Sequence, residues 1–220
     1  MNKSLVLRVF LVLLVFCSAF YLAFRFLQPE FKSLPFYDPA DVNPDLVEPA
    51  IRGVGKGHTI ADYSLTDQKG EVFQSTSMKG KVWMADFFFT TCPSICKNMA
   101  VQKQFLQDAF ADQPLFQIVS HSVNPEKDSV SVLAEYANLN NVDYTKWKLL
   151  TGEKSEIYTL ARTSFLVARA PTESIEHDFI HTENFVLIDQ KGRIRGFYDG
   201  TSEEAVKQLV IDAQWLLKRP

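Results

Sequence analysis

Two cysteines four residues apart, Cys92 and Cys96, are the residues of this 220-residue chain whose type and spacing most directly indicate chemistry. They belong to the segment Thr-Thr-Cys-Pro-Ser-Ile-Cys, which follows a nearly continuous apolar run at 81–91. Pro93 suits the first position of a helix, where its missing N–H costs nothing. Cys92 is then expected at or beside the N-cap, where the helix dipole and the unpaired N–H groups favour the thiolate and lower the pKa of its thiol.

The spacing of the two cysteines leaves two kinds of chemistry open. Side chains at positions i and i+4 of a helix have Cβ atoms about 5–6 Å apart. A disulfide needs about 3.5–4.5 Å, which an N-cap residue can approach because it is not bound to helical angles. A metal ion held at about 2.3 Å from each sulfur, as for zinc, spans the wider gap easily. The pair therefore predicts a redox-active disulfide or a dithiolate metal site.

A third metal ligand has two candidates, His177 and His181, and His181 lies just before a predicted strand at 185–189. Two thiolates and one imidazole suit Cu(I), Cu(II) or zinc. Three protein ligands leave such a site open, which favours transfer of the metal over its storage. We expect His58 and His121 to have structural roles.

The elements around the cysteines alternate between strand and helix patterns. The apolar run at 81–91 predicts a central strand, and the helical spacing at 93–110 predicts the helix that carries Cys96. Further strands and helices follow, and the chain closes with a hairpin and an amphipathic helix. This order predicts an α/β fold, a thioredoxin-like mixed sheet flanked by helices.

The N-terminus carries a second signal, an apolar stretch at 5–27 with arginines near both ends. Its length predicts one transmembrane helix; a cleaved signal peptide is the alternative, although no small-residue cleavage site follows. We divide the chain into a membrane anchor at 1–27, a proline-rich tether at 28–57 and a thioredoxin-like domain at 58–220 that carries the candidate metal or redox site. Because few residues precede the anchor, the rest of the chain is expected on the far side of the membrane.

The charge excludes nucleic acid as a partner. The chain has 23 Lys and Arg against 26 Asp and Glu, and four of the bases but one of the acids lie within residues 1–32. The remainder is acidic, whereas phosphate binding needs a basic face. Three cysteines are also too few for a scaffold held together by disulfides.

The segment Phe-Phe-Phe-Thr-Thr-Cys-Pro-Ser-Ile-Cys at 87–96 resembles the copper-site segment of the Sco/SenC family of copper-binding proteins. The similarity extends to Ser-Val-Asn-Pro-Glu-Lys-Asp at 122–128, to Leu-Thr-Gly at 150–152, and to His181 before an apolar hairpin. The resemblance implies a thioredoxin-like fold and one copper ion bound by Cys92, Cys96 and His181.

The resemblance also implies a function: maturation of the dinuclear copper centre of cytochrome c oxidase, by copper delivery or by reduction of the target's cysteines. The expected partners are the copper-site subunit of an oxidase, a thiol reductant and, through the N-terminal helix, a bacterial inner membrane with the domain on its periplasmic side. A metallochaperone is favoured over an enzyme. The alternative is a thiol–disulfide oxidoreductase that uses Cys92 and Cys96 without metal. A peroxidase is disfavoured, because its attacking cysteine would not need His181.

Overall fold

The computed structural model describes residues 3–27, 33–92, 95–168 and 182–219, with side chains throughout these ranges except at 3–6, 25–27, 95 and 96. The chain forms two compact units, Met1–Ser33 and Leu34–Pro220.

In its described residues the first unit has one helix, α1, at Lys3–Leu27. Its segment Leu7–Phe24 has a mean hydropathy of 2.3 and no buried residues, so it is long and apolar enough to cross a bilayer. A signal sequence has the same properties, which leaves cleavage of this segment open. The hydroxyl of Ser18 donates a hydrogen bond to the carbonyl of Val15 at 2.9 Å, so this polar group is satisfied within the helix.

The second unit is built on one mixed sheet. In chain order its described strands are β1 Ser64–Asp67, β2 Val72–Gln74, β3 Val82–Phe88, β4 Phe116–Ser122, β5 Trp147–Thr151, β6 Asn184–Ile188 and β7 Ile194–Asp199. Their order across the sheet is β2-β1-β5-β4-β3-β6-β7. The three middle strands β3, β4 and β5 are parallel, and an antiparallel hairpin closes each edge. This arrangement confirms the predicted thioredoxin-like mixed sheet.

In the described ranges, four helices flank the sheet. They are α2 Ile95–Ala109, α3 Val130–Leu139, α4 Lys154–Thr163 and α5 Glu203–Leu217. Helices α2 and α3 are the crossovers that parallel strands require, from β3 to β4 and from β4 to β5. Helix α5 begins where its sequence predicts, because the hydroxyl of Ser202 accepts a hydrogen bond from the N–H of Ala205 at 3.3 Å.

Strand β3 lies in the interior of this sheet, and all seven of its residues are buried. Alternate side chains serve two cores. An α4-side core contains Trp83, Ala85 and Phe87 with residues of α4, and an α2-side core contains Val82, Met84 and Phe88 with residues of α2, α3 and α5. The apolar run therefore forms a central strand as predicted, and the only charged residue of β3, Asp86, is fully buried as well.

The two edge hairpins share one turn sequence, Asp-Gln-Lys-Gly, at 67–70 and 189–192. In each turn the glycine N–H donates to the aspartate carbonyl at 2.9 Å, and the glycine has a φ near +80° that disfavours other residues. The aspartate side chain also accepts two backbone N–H groups, from Lys191 and Arg193 in the second turn. Identical local sequence thus produces identical turns at both edges.

Part of the proline-rich stretch belongs to the second compact unit. The prolines and glycines at 28–57 predict an extended or irregular tether, partly packed on the domain, with folded structure starting near His58; in the structure the chain packs against the sheet from Leu34 onward. The guanidinium of Arg195 donates to the carbonyls of Leu34 and Pro35, and the N–H of Tyr37 donates to the carbonyl of Ile194. Three short 3-10 turns then follow, each with a proline at its first position: Pro39–Asp41, Pro44–Leu46 and Pro49–Ile51.

The second turn provides a test of stability against pH. Asp189 is buried and accepts hydrogen bonds from the guanidinium groups of Arg193 and Arg195. Burial alone would raise the pKa of Asp189, but the bonds from these arginines and from the backbone of Lys191 outweigh it and lower the pKa. The ionised carboxylate therefore stabilises the fold at neutral pH, and this contribution is lost as the pH falls through the lowered pKa.

We expect Asp189→Asn to lower the free energy of unfolding by about 2 kcal/mol at pH 7. The difference from the wild type should shrink as the pH falls below the ordinary carboxyl value, because the unfolded wild type then binds a proton that the folded state, with its lowered pKa, does not yet bind. Urea denaturation at a series of pH values measures this. A difference that stays constant down to about pH 3 would contradict the assignment.

Candidate functional site

The candidate site begins where β3 ends. After Phe88 the chain leaves the sheet through Phe89–Cys92, a tight bend in which the N–H of Cys92 donates to the carbonyl of Phe89 at 3.3 Å. Thr91 is exposed and Cys92 is 7% exposed. The bend thus turns the cysteine side chain inward at the carboxyl end of the central strand.

Cys92 lies in an apolar environment. It belongs to the α2-side core together with Phe88 of β3 and Met99 of α2, and Phe89 packs against the same core. An apolar surround limits the access of water to a sulfur ligand and lowers the local dielectric constant. A metal or a disulfide formed at this sulfur would therefore be shielded on the side of the sheet.

The other predicted ligands lie outside the described side chains. Cys96 is the second residue of α2, so its backbone is in the first turn of that helix. His181 and the neighbouring His177 fall outside the described residues. Within the described residues no cluster of three His, Cys, Asp or Glu side chains could hold a metal ion. The set Cys92, Cys96 and His181 therefore stays a prediction.

A buried ion pair connects β3 to the helix that carries Cys96. Lys103 of α2 and Asp86 of β3 are 1% and 0% exposed, and the ammonium nitrogen lies 2.7 Å from a carboxylate oxygen. Ser120 of β4 donates to the other carboxylate oxygen and accepts a hydrogen bond from the indole of Trp147 at 2.8 Å. The ammonium also lies over the ring of Phe88, 4.7 Å from its centroid. Both charges are thus fully partnered inside the α2-side core.

This pair is absent from the sequence-based expectations, although the sequence contains a signal for it. Lys103 lies on the buried stripe of α2, between Met99 and Leu106. Phe105, an apolar residue of the same helix, is 41% exposed and lies off this stripe. A lysine on the apolar face of a helix and an aspartate inside an apolar strand predict each other, because a buried charge needs a partner.

The two described histidines have structural partners. The Nε2 atom of His121 lies 2.7 Å from the hydroxyl of Tyr63, and its ring stacks on Phe87 in the α4-side core. Burial lowers the pKa of His121 to about 4, so the ring is neutral at pH 7. The Nε2 atom of His58 lies 2.7 Å from the carbonyl of Ser164. Neither lies in the core that contains Cys92, in agreement with the structural roles expected for them.

Comparison with known proteins gives one family. The model of the SCO1/SenC family matches residues 52–216. The SCO1 protein homolog of Bacillus subtilis is 30% identical over 159 residues, which are 71% of this chain and 82% of that protein.

Solved structures agree with this match. One solved neighbour is BsSco, a member of the Sco family of cytochrome c oxidase assembly proteins in which a disulfide switch was identified. Its structure has a TM-score of 0.64 to this chain at 28% sequence identity. The match covers 76% of this chain and 98% of BsSco. Bradyrhizobium japonicum ScoI, solved with copper bound, has a TM-score of 0.57 at 24% identity and shares the fold over 73% of this chain and all of its own.

The buried ion pair between Asp86 and Lys103 generates a prediction about the stability of the domain. Lys103→Met removes the cation and leaves Asp86 buried without its charge partner, which costs about 3–5 kcal/mol. The double variant Asp86→Asn/Lys103→Met should recover most of this loss, because asparagine is uncharged and still accepts the hydrogen bond from Ser120. The free energy of unfolding in urea measures both.

Lys97→Met is the matched control, since Lys97 is exposed on the same helix. It should change the free energy of unfolding by no more than about 0.5 kcal/mol. A double variant as unstable as Lys103→Met would show that lost packing rather than an unpaired charge determines the effect.

Proposed function

The chain belongs to the SCO1/SenC family, and from this we propose that it is a membrane-anchored copper chaperone. It binds one copper ion through Cys92, Cys96 and His181 and helps mature the dinuclear copper centre of cytochrome c oxidase. Copper is here a cargo that is acquired and passed on. The copper-bound state of a family neighbour and the oxidase-assembly role of BsSco support this proposal.

One observation carries the proposal, the position of Cys92 at the junction of β3 and α2. Cys92 lies four residues beyond the end of the central strand, and Cys96 follows in the first turn of the helix. With the helix start that the sequence predicts at Pro93, two residues four apart present their side chains on one face, about one turn apart. A copper ion can bridge two sulfurs at that separation, and thiolates are the ligands that Cu(I) prefers.

The surrounding residues determine how such a site would behave. The α2-side core, to which Cys92 belongs together with Phe88 and Met99, keeps water from one side of the sulfur. The ion pair between Asp86 and Lys103 fixes α2 against β3, and with it the backbone of Cys96. With His181 as the third ligand, one coordination position is left for an incoming ligand of a donor or client protein. An open position favours transfer of copper from one protein to another.

The N-terminal helix supports a location for this activity. We assign α1 as an uncleaved single-pass anchor in a bacterial inner membrane, with the second unit on the periplasmic side. The apolar segment Leu7–Phe24 has the length that a spanning helix requires. The expected client, the copper-site subunit of a cytochrome oxidase, would then meet the chaperone at the same membrane.

A second function uses the same cysteines without metal. As a thiol–disulfide oxidoreductase, the chain would reduce a client disulfide with its two thiols. The Cys92–Cys96 disulfide would form, and two electrons and two protons would pass to the client's sulfurs. The disulfide switch described for BsSco favours this alternative. Because thiolates are the copper ligands, an oxidised pair cannot bind copper, so a thiol reductant is needed in either function.

The ligand set is tested with the full-length protein in detergent, in a Cys17→Ser background that leaves two of the three cysteines. The reduced protein should bind one copper ion and show Cu(II)–thiolate absorption. Cys92→Ala and Cys96→Ala should each abolish that absorption. His181→Ala should weaken Cu(II) more than Cu(I), since Cu(I) can remain with two sulfurs. Equilibrium dialysis and the absorption spectrum measure these effects.

His177→Ala is the matched control and should change little. A loss of Cu(II) in His177→Ala with wild-type behaviour of His181→Ala would overturn the choice of the third ligand. The oxidised protein, with its disulfide verified by mass, should bind no copper until it is reduced. Wild-type oxidase maturation by His181→Ala would favour the oxidoreductase, because only the chaperone needs the imidazole.

A further inference from the structure

A second buried carboxylate, Asp128, lies at the end of the sheet where Cys92 lies. It follows β4 in the loop before α3 and is 0% exposed. Three donors converge on it: the N–H of Thr90 at 3.1 Å, the hydroxyl of Thr90 at 2.5 Å and the hydroxyl of Ser122 at 2.5 Å. Among the described residues no lysine or arginine forms an ion pair with Asp128. Within the described part of the chain, this buried carboxylate is therefore satisfied by hydrogen bonds.

Two of the three bonds come from Thr90, which lies two residues before Cys92 in the bend that leaves β3. Both polar groups of Thr90 that can donate, its backbone N–H and its hydroxyl, are directed at the same carboxylate. A further bond holds the same two loops together, since the N–H of Val123 donates to the carbonyl of Phe88 at 2.8 Å. The segment before Cys92 is thus bound to the β4–α3 loop on both sides of Phe89.

The β4–α3 loop is itself well ordered by local bonds. The carbonyl of Asn124 accepts the N–H groups of Lys127 and Asp128 at 3.0 and 2.9 Å. The N–H of Asn124 donates to the hydroxyl of Ser122 at 3.1 Å, and that hydroxyl donates to Asp128. Hydrogen bonds within its own loop therefore orient the carboxylate of Asp128 independently of the bonds that Thr90 donates to it. A rigid acceptor of this kind can impose a geometry on the segment that it binds.

We propose that Asp128 is a positioning residue for Cys92, acting through Thr90. It fixes the bend Phe89–Cys92 so that the sulfur of Cys92 is held inward, in place for copper. This inference rests on the proposed copper-binding function. The physical reason is preorganisation: groups that orient metal ligands are costly to remove, because the ligand must then be ordered when the metal binds.

The test compares three variants of the full-length Cys17→Ser protein in detergent. Thr90→Val removes the hydroxyl and keeps the shape, whereas Thr90→Ser keeps the hydroxyl. Asp128→Asn keeps the size of the side chain but leaves it one acceptor oxygen instead of two. The NH2 group that replaces the other oxygen cannot accept a hydrogen bond from the N–H of Thr90. We expect Thr90→Val and Asp128→Asn to weaken Cu(II) binding about tenfold in competition titrations. Thr90→Ser should bind copper as the wild type does.

A second readout needs no copper. In a Cys17→Ser/Cys96→Ser background only Cys92 remains, and its rate of alkylation by iodoacetamide reports how firmly the bend keeps the sulfur buried. Thr90→Val and Asp128→Asn should be alkylated several-fold faster than the parent, and Thr90→Ser at the parent's rate. Asp189→Asn is the control, a buried carboxylate at the other end of the sheet. It should lower stability and leave copper affinity and alkylation unchanged.

Unchanged affinity and alkylation in Thr90→Val and Asp128→Asn would overturn the proposal. Equal changes in Asp189→Asn would overturn it as well, because they would trace the effect to general loss of stability. If the parent protein binds no copper, the proposed function fails, and the alkylation rates still decide the role of Asp128. If Asp128→Asn does not fold, the comparison of Thr90→Val with Thr90→Ser decides it.

Discussion

The burial of β3 on both faces is the constraint on which the rest of the domain depends. A strand with seven buried residues has no solvent-exposed face, so helices or loops must cover both sides. Any charge on such a strand must find its partner within the protein, and Asp86 finds it in Lys103 of α2. The same strand determines where the chemistry lies, because the chain can leave it only at the end of the sheet, through the bend that ends at Cys92.

Two buried carboxylates hold this junction, and they do so in different ways. Asp86 lies inside the sheet and binds the helix that follows the cysteine pair through an ion pair. Asp128 lies at the end of the sheet and binds the segment that precedes the pair through hydrogen bonds from Thr90. The backbone before Cys92 and the helix after it are therefore fixed by separate groups. A metallochaperone benefits from such a division, because the ligands can be rigid on one side while the position for the incoming partner stays open.

Much of the fold follows from local sequence. The apolar run at 81–91 produces the predicted central strand, and the two Asp-Gln-Lys-Gly turns and the cap at Ser202 depend on short-range sequence as well. The early start of the domain at Leu34 depends on Arg195, more than 150 residues away, so prolines and glycines at 28–57 could not reveal it. The pairing of Asp86 with Lys103 and of Asp128 with Thr90 also depends on tertiary contacts. For the site itself, residue types and spacing indicate the cysteine pair, and the family resemblance implies the third ligand. The charges at apolar positions signal the pair of Asp86 and Lys103, whereas the bonds from Thr90 to Asp128 become visible only in three dimensions.

The central claim is that one copper ion is held by the sulfurs of Cys92 and Cys96 and by the imidazole of His181. X-ray absorption at the copper edge tests it most directly, with the full-length Cys17→Ser protein carrying one equivalent of copper in each oxidation state. The account predicts two sulfur scatterers in both states, with an imidazole pattern in the Cu(II) state that His181→Ala removes. Coordination by nitrogen and oxygen alone, without sulfur, would contradict it.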